Sequence, residues 1–245
     1  QMLELKHVSF VVADRPEPIL DDVSFTAEKG KFTVITGPNG GGKSTIARLI
    51  MGIEQPTSGR IFFDGKDITD LKIYERAKLG IGYAFQQPPR FKGMTVANLL
   101  ALAAGGAMSE DASCAYLAQV GLCTKDYLRR EVDSSLSGGE VKRIEIATLL
   151  ARKLKLAIYD EPEAGIDLWS FSMLVDTFRR IAEKSGESII LISHQERIIQ
   201  LADNIVIIAG GKIRESGSKA EMLPKLMNEV EVSCGYSCMG GVAGA

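Results

Sequence analysis

The sequence predicts an α/β fold with a parallel-sheet core, and three observations predict it. Short apolar runs of buried-strand type ("KFTVIT", "LAIYDE", "SIILISH") recur between segments of helical periodicity. A glycine-rich loop, "GPNGGGKST", joins the first of these strands to the helical pattern "IARLIMG". The chain also opens on alternating β patterns and has a helical middle. Those two parts read as an antiparallel β subdomain and a helical subdomain attached to the core.

In order, "LELKHVSFVV" and "ILDDVSFTA" alternate apolar and polar residues, and Pro16 and Pro18 mark the turn between them. "GRIFFDGKDI" reads as a strand ending at an Asp64-Gly65 turn, and "LGIGYAFQ" as a further buried strand. From Thr95 to about Gly121 the pattern is helical, interrupted at Gly105-Gly106. "LWSFSMLVDTFRRIAEK" is an amphipathic helix between two core strands. "NIVIIAGGKIRESG" is a hairpin around Gly210-Gly211. "SKAEMLPKLMNE" is the last helix, opened by Ser218 and Glu221 as a capping box.

The 245 residues carry a net charge of −2, 45% apolar and 24% charged residues, an ordinary globular composition. The charge argues against a nucleic-acid partner held on a broad basic surface. No apolar run reaches the roughly 18–20 residues of a membrane span, so no direct membrane insertion is expected. The start reads as a strand and not as a secretory leader. Four unevenly spaced cysteines do not form a secreted disulfide framework, and a reducing, cytoplasmic location follows as the expectation.

"GPNGGGKST" fits the phosphate-loop pattern at Gly37, Gly42, Lys43 and Ser44. Glycines let successive backbone N–H groups of Gly37, Pro38, Asn39, Gly40, Gly41 and Gly42 curl around phosphate oxygens, Pro38 itself having no N–H to give. The helix that starts here adds its N-terminal dipole. Lys43 can reach the β- and γ-phosphates, Ser44 can ligate Mg²⁺, and Thr45 adds a donor. Asp160 ends the buried strand "LAIYD", at the edge where ligands collect in parallel sheets, and can hold the Mg²⁺ shell opposite Ser44. Glu161 follows and can polarise an attacking water. Two solvated acids at a strand end are the plainer alternative, and the phosphate loop upstream weighs against it.

"LSGGEVKR" supplies the third part. Ser137 and Glu140 form a capping box, and Gly138 and Gly139 expose N–H groups at the first turn of the next helix. In this order the three parts resemble the ATP-binding cassette (ABC) ATPases. The resemblance implies a P-loop NTPase fold over 1–229, with the helical lobe at about 88–150 and a flexible tail over 230–245. It implies ATP and Mg²⁺ as ligands. It assigns Gln86 to the Q-loop as a catalytic and metal-linked residue, with Gln87 the neighbouring candidate, Asp167 in "EAGID" to the D-loop, and His194 in "LISHQE" to the switch. It also implies a homodimer formed on ATP binding, in which Ser137 and Gly139 of one chain meet the γ-phosphate held by Lys43 of the other. One departure stands out. The family's aromatic for adenine falls near Val12, so nucleotide affinity or base selectivity should be reduced by a stacking contact worth about 1–3 kcal/mol, unless Phe10 substitutes.

Within the family, "QQPPRFKGMTVANLL", "DEPEAGIDLWSF" and "SHQERIIQLADNIVII" resemble the ATPase of SUF-type iron–sulfur assembly, in its short form. That implies a soluble β-helical scaffold (SufB-type) as partner, docking near the Q-loop and helical lobe. It also leaves a use for Cys234 and Cys238 in transient iron or cluster binding, although a disordered tail with incidental thiols is the plainer reading. Cys114 and Cys123 read as packing residues. The alternative is the ATP-binding subunit of a membrane transporter, which suits the length and motor motifs equally. A non-catalytic module is disfavoured because Lys43, Glu161 and His194 are all present.

Overall fold

The computed structural model describes residues 1–122, 125–184 and 186–226. Cys123, Cys234 and Cys238 lie outside them. Among the described residues the central sheet has six strands in the order β12-β11-β3-β10-β9-β6. These are β3 (Phe32–Thr36), β6 (Ile81–Ala84), β9 (Leu156–Asp160), β10 (Ser188–Ile192), β11 (Asn204–Ala209) and β12 (Lys212–Ser218). β6, β9, β10, β3 and β11 run parallel, and β12 returns antiparallel through the Gly210-Gly211 turn. Alternation along these strands feeds two cores. Phe32, Val34, Tyr159, Ile189 and Leu191 face one cluster, which includes Ile144 of α6 (Gly138–Ala151) and Phe178 of α7 (Leu168–Lys184). Ile35, Ile158, Ile190, Ile192 and Val206 face the other, with Ile46 and Ile50 of α1 (Lys43–Met51).

The second cluster is shared with an antiparallel sheet ordered β2-β1-β4-β5, from β1 (Leu3–Phe10), β2 (Leu20–Ala27), β4 (Ser58–Phe63) and β5 (Lys66–Asp67). β4 and β5 meet at the Asp64-Gly65 turn. The helical region contains α3 (Val96–Ala103), α4 (Glu110–Gln119) and α5 (Lys125–Arg129). α3 ends just before Gly105-Gly106, as its glycines require. Cys114 packs against the larger core. The α/β fold with an antiparallel β part and a helical part is therefore as expected.

Several short elements differ from the sequence reading. The exposed segment Phe91–Thr95 is a strand, β7, paired with β8 (Glu131–Val132). A short helix, α2 (Ile73–Lys78), follows β5, and another, α8 (Glu196–Ile199), follows β10. All are too short for periodicity to reveal. Residues 219–226 are helical, and the Glu221 carboxylate accepts from both the N–H and the hydroxyl of Ser218.

Candidate nucleotide site

Because β3, β6, β9 and β10 are parallel and in register, their C-terminal ends share one edge. Thr36 leads into the phosphate loop, Ala84 into Gln86, Asp160 into Glu161, and Ile192 into Ser193 and His194. The loop is tightly seated. A Cβ at Gly37, with φ 136°, would lie 1.9 Å from the Ile208 carbonyl oxygen of β11. At Gly42 a Cβ would lie 2.5 Å from Leu20 Cδ2. These two glycines are therefore demanded by close approach as well as by conformation.

An open cleft of about 570 Å³ lies over this edge, lined by Asn39, Gly40, Gly42, Lys43, Ser44, Thr45, Gln86 and Glu161. Val12, Arg15 and Ile19 complete the lining. Gly37 and Pro38 play a different part. Their carbonyls accept from Lys43 Nζ at 2.8 and 2.9 Å, so the buried ammonium is held within its own loop. Ser44 Oγ donates to Asp160 Oδ1 at 3.0 Å, and Tyr83 Oη donates to Asp160 Oδ2 at 2.8 Å. Burial pushes the Asp160 carboxyl up, against these two hydrogen bonds that favour its anion. Burial likewise pushes the Tyr83 hydroxyl up, with the Asp160 charge adding to it. The paired hydroxyl and carboxylate are hard oxygen donors, a set suited to Mg²⁺ beside phosphates.

Glu161 is held by its backbone. It has φ 44°, its N–H donates to the Ile192 carbonyl at 2.9 Å, and its own carbonyl accepts from Lys142 Nζ at 3.1 Å. Lys142 also donates to the Ala164 carbonyl at 2.5 Å. The left-handed conformation is costly for a non-glycine residue and persists here because both peptide groups are pinned. Its side chain accepts from Gln86 Nε2 at 2.8 Å. Ser193 Oγ donates to Glu163, whose second oxygen is buried with no hydrogen-bond partner among the described residues, and accepts from the Gln195 N–H at 3.0 Å. His194 is exposed, with Nε2 3.4 Å from the Gln195 amide nitrogen.

The remaining sequence-picked residues lie away from the cleft lining. Ser137 caps α6 through Glu140 N at 3.2 Å, and Glu140 Oε2 accepts from Ser137 N at 2.7 Å, the reciprocal box. Gly138 and Gly139 form the first turn of that helix, and neither lines the cleft. Asp167 caps α7, accepting from the N–H groups of Trp169 and Ser170 and from the Ser170 hydroxyl. Phe10 does not substitute for the missing aromatic, because it is half-buried against the second core. The cause is a break in β1, where the register with β2 shifts on both sides of Val8 and His7 takes φ 50°. Val12, the position the resemblance points to, lines the cleft. Sequence reasoning gives Tyr83, Lys142 and Arg15 no role, although Tyr83 and Lys142 fall within quoted segments, because their partners are distant in the chain or, for Arg15, because no motif assigns one.

A family model described as "ABC transporter" matches residues 20–164. A protein of Methanocaldococcus jannaschii named "Uncharacterized ABC transporter ATP-binding protein MJ0035" is 42% identical over 212 residues, 83% of this chain and 84% of that one. The "Sulfate/thiosulfate import ATP-binding protein CysA" of Brucella melitensis biotype 1 is 32% identical, with 85% of this chain matched to 59% of its own length. Among solved structures, a bacterial Atm1-family ABC exporter with ATP bound superposes with a TM-score of 0.80 at 28% identity, over 91% of this chain and 40% of that one. The dimeric MJ0796 cassette superposes with a TM-score of 0.79 at 24% identity over 89% of this chain and 99% of that one, a likeness of fold. The fold, the loop-to-carboxylate edge and these likenesses together establish the chain as a member of the ABC transporter ATP-binding family, an ATP-hydrolysing cassette.

Proposed function

We propose that this cassette is the motor subunit of a membrane ABC transporter, working as an ATP-driven head-to-tail pair of chains on a separate membrane-spanning partner. The observation that carries the motor is the shared edge of Lys43, Ser44, Asp160, Glu161 and Gln86. The relatives named for a transported substrate support the transporter. Among the described residues no helix is long and apolar enough to cross a membrane, so any span belongs to a partner or lies outside them.

In this reading Lys43 leaves the Gly37 and Pro38 carbonyls for the β- and γ-phosphates, and the loop N–H groups hold the remaining oxygens. Ser44 and Asp160 hold Mg²⁺, which supplies charge neutralisation at the transferred phosphoryl group. Glu161 orients and deprotonates the attacking water, with Gln86 and His194 positioning water and γ-phosphate. The capped α6 N-terminus, with Ser137, Gly138 and Gly139, meets the γ-phosphate of the opposing chain, beside Asp167. The partner docks in the groove next to Gln86, lined by Phe85, Phe91, Leu99, Leu102 and Val141, with Glu145 in it.

A second reading, the soluble iron–sulfur assembly motor, is favoured by one observation. Of the segments that carry the resemblance, one supplies Glu163, hydrogen-bonded by Ser193 beside His194, and another supplies Phe91, which lines the groove with Phe85. The relative at 42% identity has no substrate in its name, and those named for one are 32–34% identical. In that reading Cys234 and Cys238, outside the described residues, bind iron transiently. Native purification with mass spectrometry tests the choice. A polytopic membrane protein bound in an ATP-dependent way supports transport, and a soluble scaffold retained with it supports assembly. Failure of the Glu161→Gln chain to dimerise with MgATP, with or without the partner, would overturn both.

A further inference from the structure

The cleft lining has two chemically distinct parts. One is the phosphate loop. The other part of the lining is Val12, Arg15 and Ile19, one cation beside two aliphatic side chains. The loop carrying them is anchored at its base. Val11 N–H donates to Thr57 Oγ1 at 2.9 Å, Arg15 N–H closes a turn on the Val12 carbonyl at 3.1 Å, and Ile19 N–H returns to the Phe10 carbonyl at 2.9 Å. The contact of Gly42 with Ile19 and Leu20 then fixes this loop against the phosphate loop. With the loop residues, Lys43, Ser44 and Thr45 on the phosphates and Gln86 and Glu161 at the γ-phosphate, Val12, Arg15 and Ile19 are the lining residues left for ribose and base. No aromatic residue lines this cleft. Arg15 is exposed, and among the described residues its side chain is in no ion pair or side-chain hydrogen bond.

From this placement we infer that Arg15 is the nucleobase-contacting residue, its planar guanidinium lying on the heteroaromatic face that Val12 and Ile19 flank. A guanidinium stacks on aromatic planes and is weakly hydrated, and this one is in no ion pair with its neighbours Asp14 and Glu17. It reads a π-face and no edge, so it confers affinity without strong purine selectivity. The inference rests on the proposed nucleotide site and adds the residue that holds the base.

Calorimetric titration of the full chain with MgADP and with magnesium pyrophosphate tests it, ADP avoiding the pairing that ATP drives. Arg15→Ala should weaken ADP about ten-fold, the size of one such contact, and leave pyrophosphate unchanged. Arg15→Tyr should restore ADP binding, and Arg15→Lys should restore it only in part. Equal weakening of ADP and pyrophosphate would make Arg15 a phosphate contact and overturn the inference, as would no change in either. Lys43→Ala separates the two levels. If it leaves both ligands bound as before, the nucleotide site itself is misplaced, whatever Arg15 does.

Discussion

Gln86 Nε2 donates to Glu161 Oε2 at 2.8 Å, bridging the loop after β6 to the residue that follows β9. With its peptide groups fixed by Ile192 and Lys142, Glu161 can change partner by side-chain rotation alone. Glu161→Gln keeps a hydrogen-bonding side chain there but removes the base. Turnover should fall about 10²–10⁴-fold, the usual worth of a general base. Phosphate release measures the loss, and light scattering should show an ATP-held dimer absent from the parent chain. Undiminished turnover would remove Glu161 from the reaction.

The α6 start separates stability from pairing. Ser137→Ala deletes one half of the capping box and should cost about 1 kcal/mol, read from denaturant midpoints. Ser137 does not line its own chain's cleft, so ADP affinity should be unaffected. MgATP-dependent dimerisation and turnover should fall together. Weaker ADP binding in this variant would place the residue in the site of its own chain.

The contiguous motifs were legible because each encodes a local backbone device, a loop around phosphate, a strand end or a capped helix. What surrounds them was not. Tyr83 meets Asp160 and Lys142 meets the Glu161 carbonyl because α6 and parallel strands bring distant segments together, and no periodicity records such pairs. Phe10 shows a subtler failure. Alternation gives each side chain a face only while the register holds, and the irregularity at His7 and Val8 changes that face. The β7–β8 pair was hidden because β8 has only two residues and β7 carries a lysine and a glycine in place of a period-two alternation.

Glu145 makes the stability of the fold depend on pH. Its half-buried carboxylate accepts from the Phe85 N–H at 3.0 Å, and burial pushes its pKa up to about 7. The folded chain therefore holds this proton more tightly than the unfolded chain, whose carboxyl titrates near 4.5. Its contribution is fully present below about pH 4.5 and is lost as pH rises toward 7. Glu145→Gln keeps an acceptor for Phe85 without the charge. Against the parent chain it should be neutral at pH 4.5 and more stable by about 1–3 kcal/mol at pH 7.5. Urea unfolding at the two pH values measures this. Equal differences at both would show that the carboxyl does not titrate in this window.

Arg76 is the clearest stability determinant outside the site. Its guanidinium is fully buried, yet it has no carboxylate within ion-pair distance among the described residues. It donates instead to four carbonyls, those of Leu71 at 2.9 Å, Leu49 at 2.6 Å, Ile50 at 2.9 Å and Thr69 at 2.7 Å. Leu49 and Ile50 belong to the last turn of α1, whose first turn carries Lys43 and Ser44, so Arg76 satisfies the far end of the phosphate-loop helix. Arg76→Leu fills much of the volume but strands these acceptors, and each buried orphan costs about 1–3 kcal/mol. With partial relaxation the loss should be about 3–5 kcal/mol. Arg76→Lys should recover part of it, because an ammonium cannot span the same fork of carbonyls. Denaturant midpoints for the two variants test this, and a loss below about 1 kcal/mol for Arg76→Leu would mean that water satisfies these carbonyls equally well.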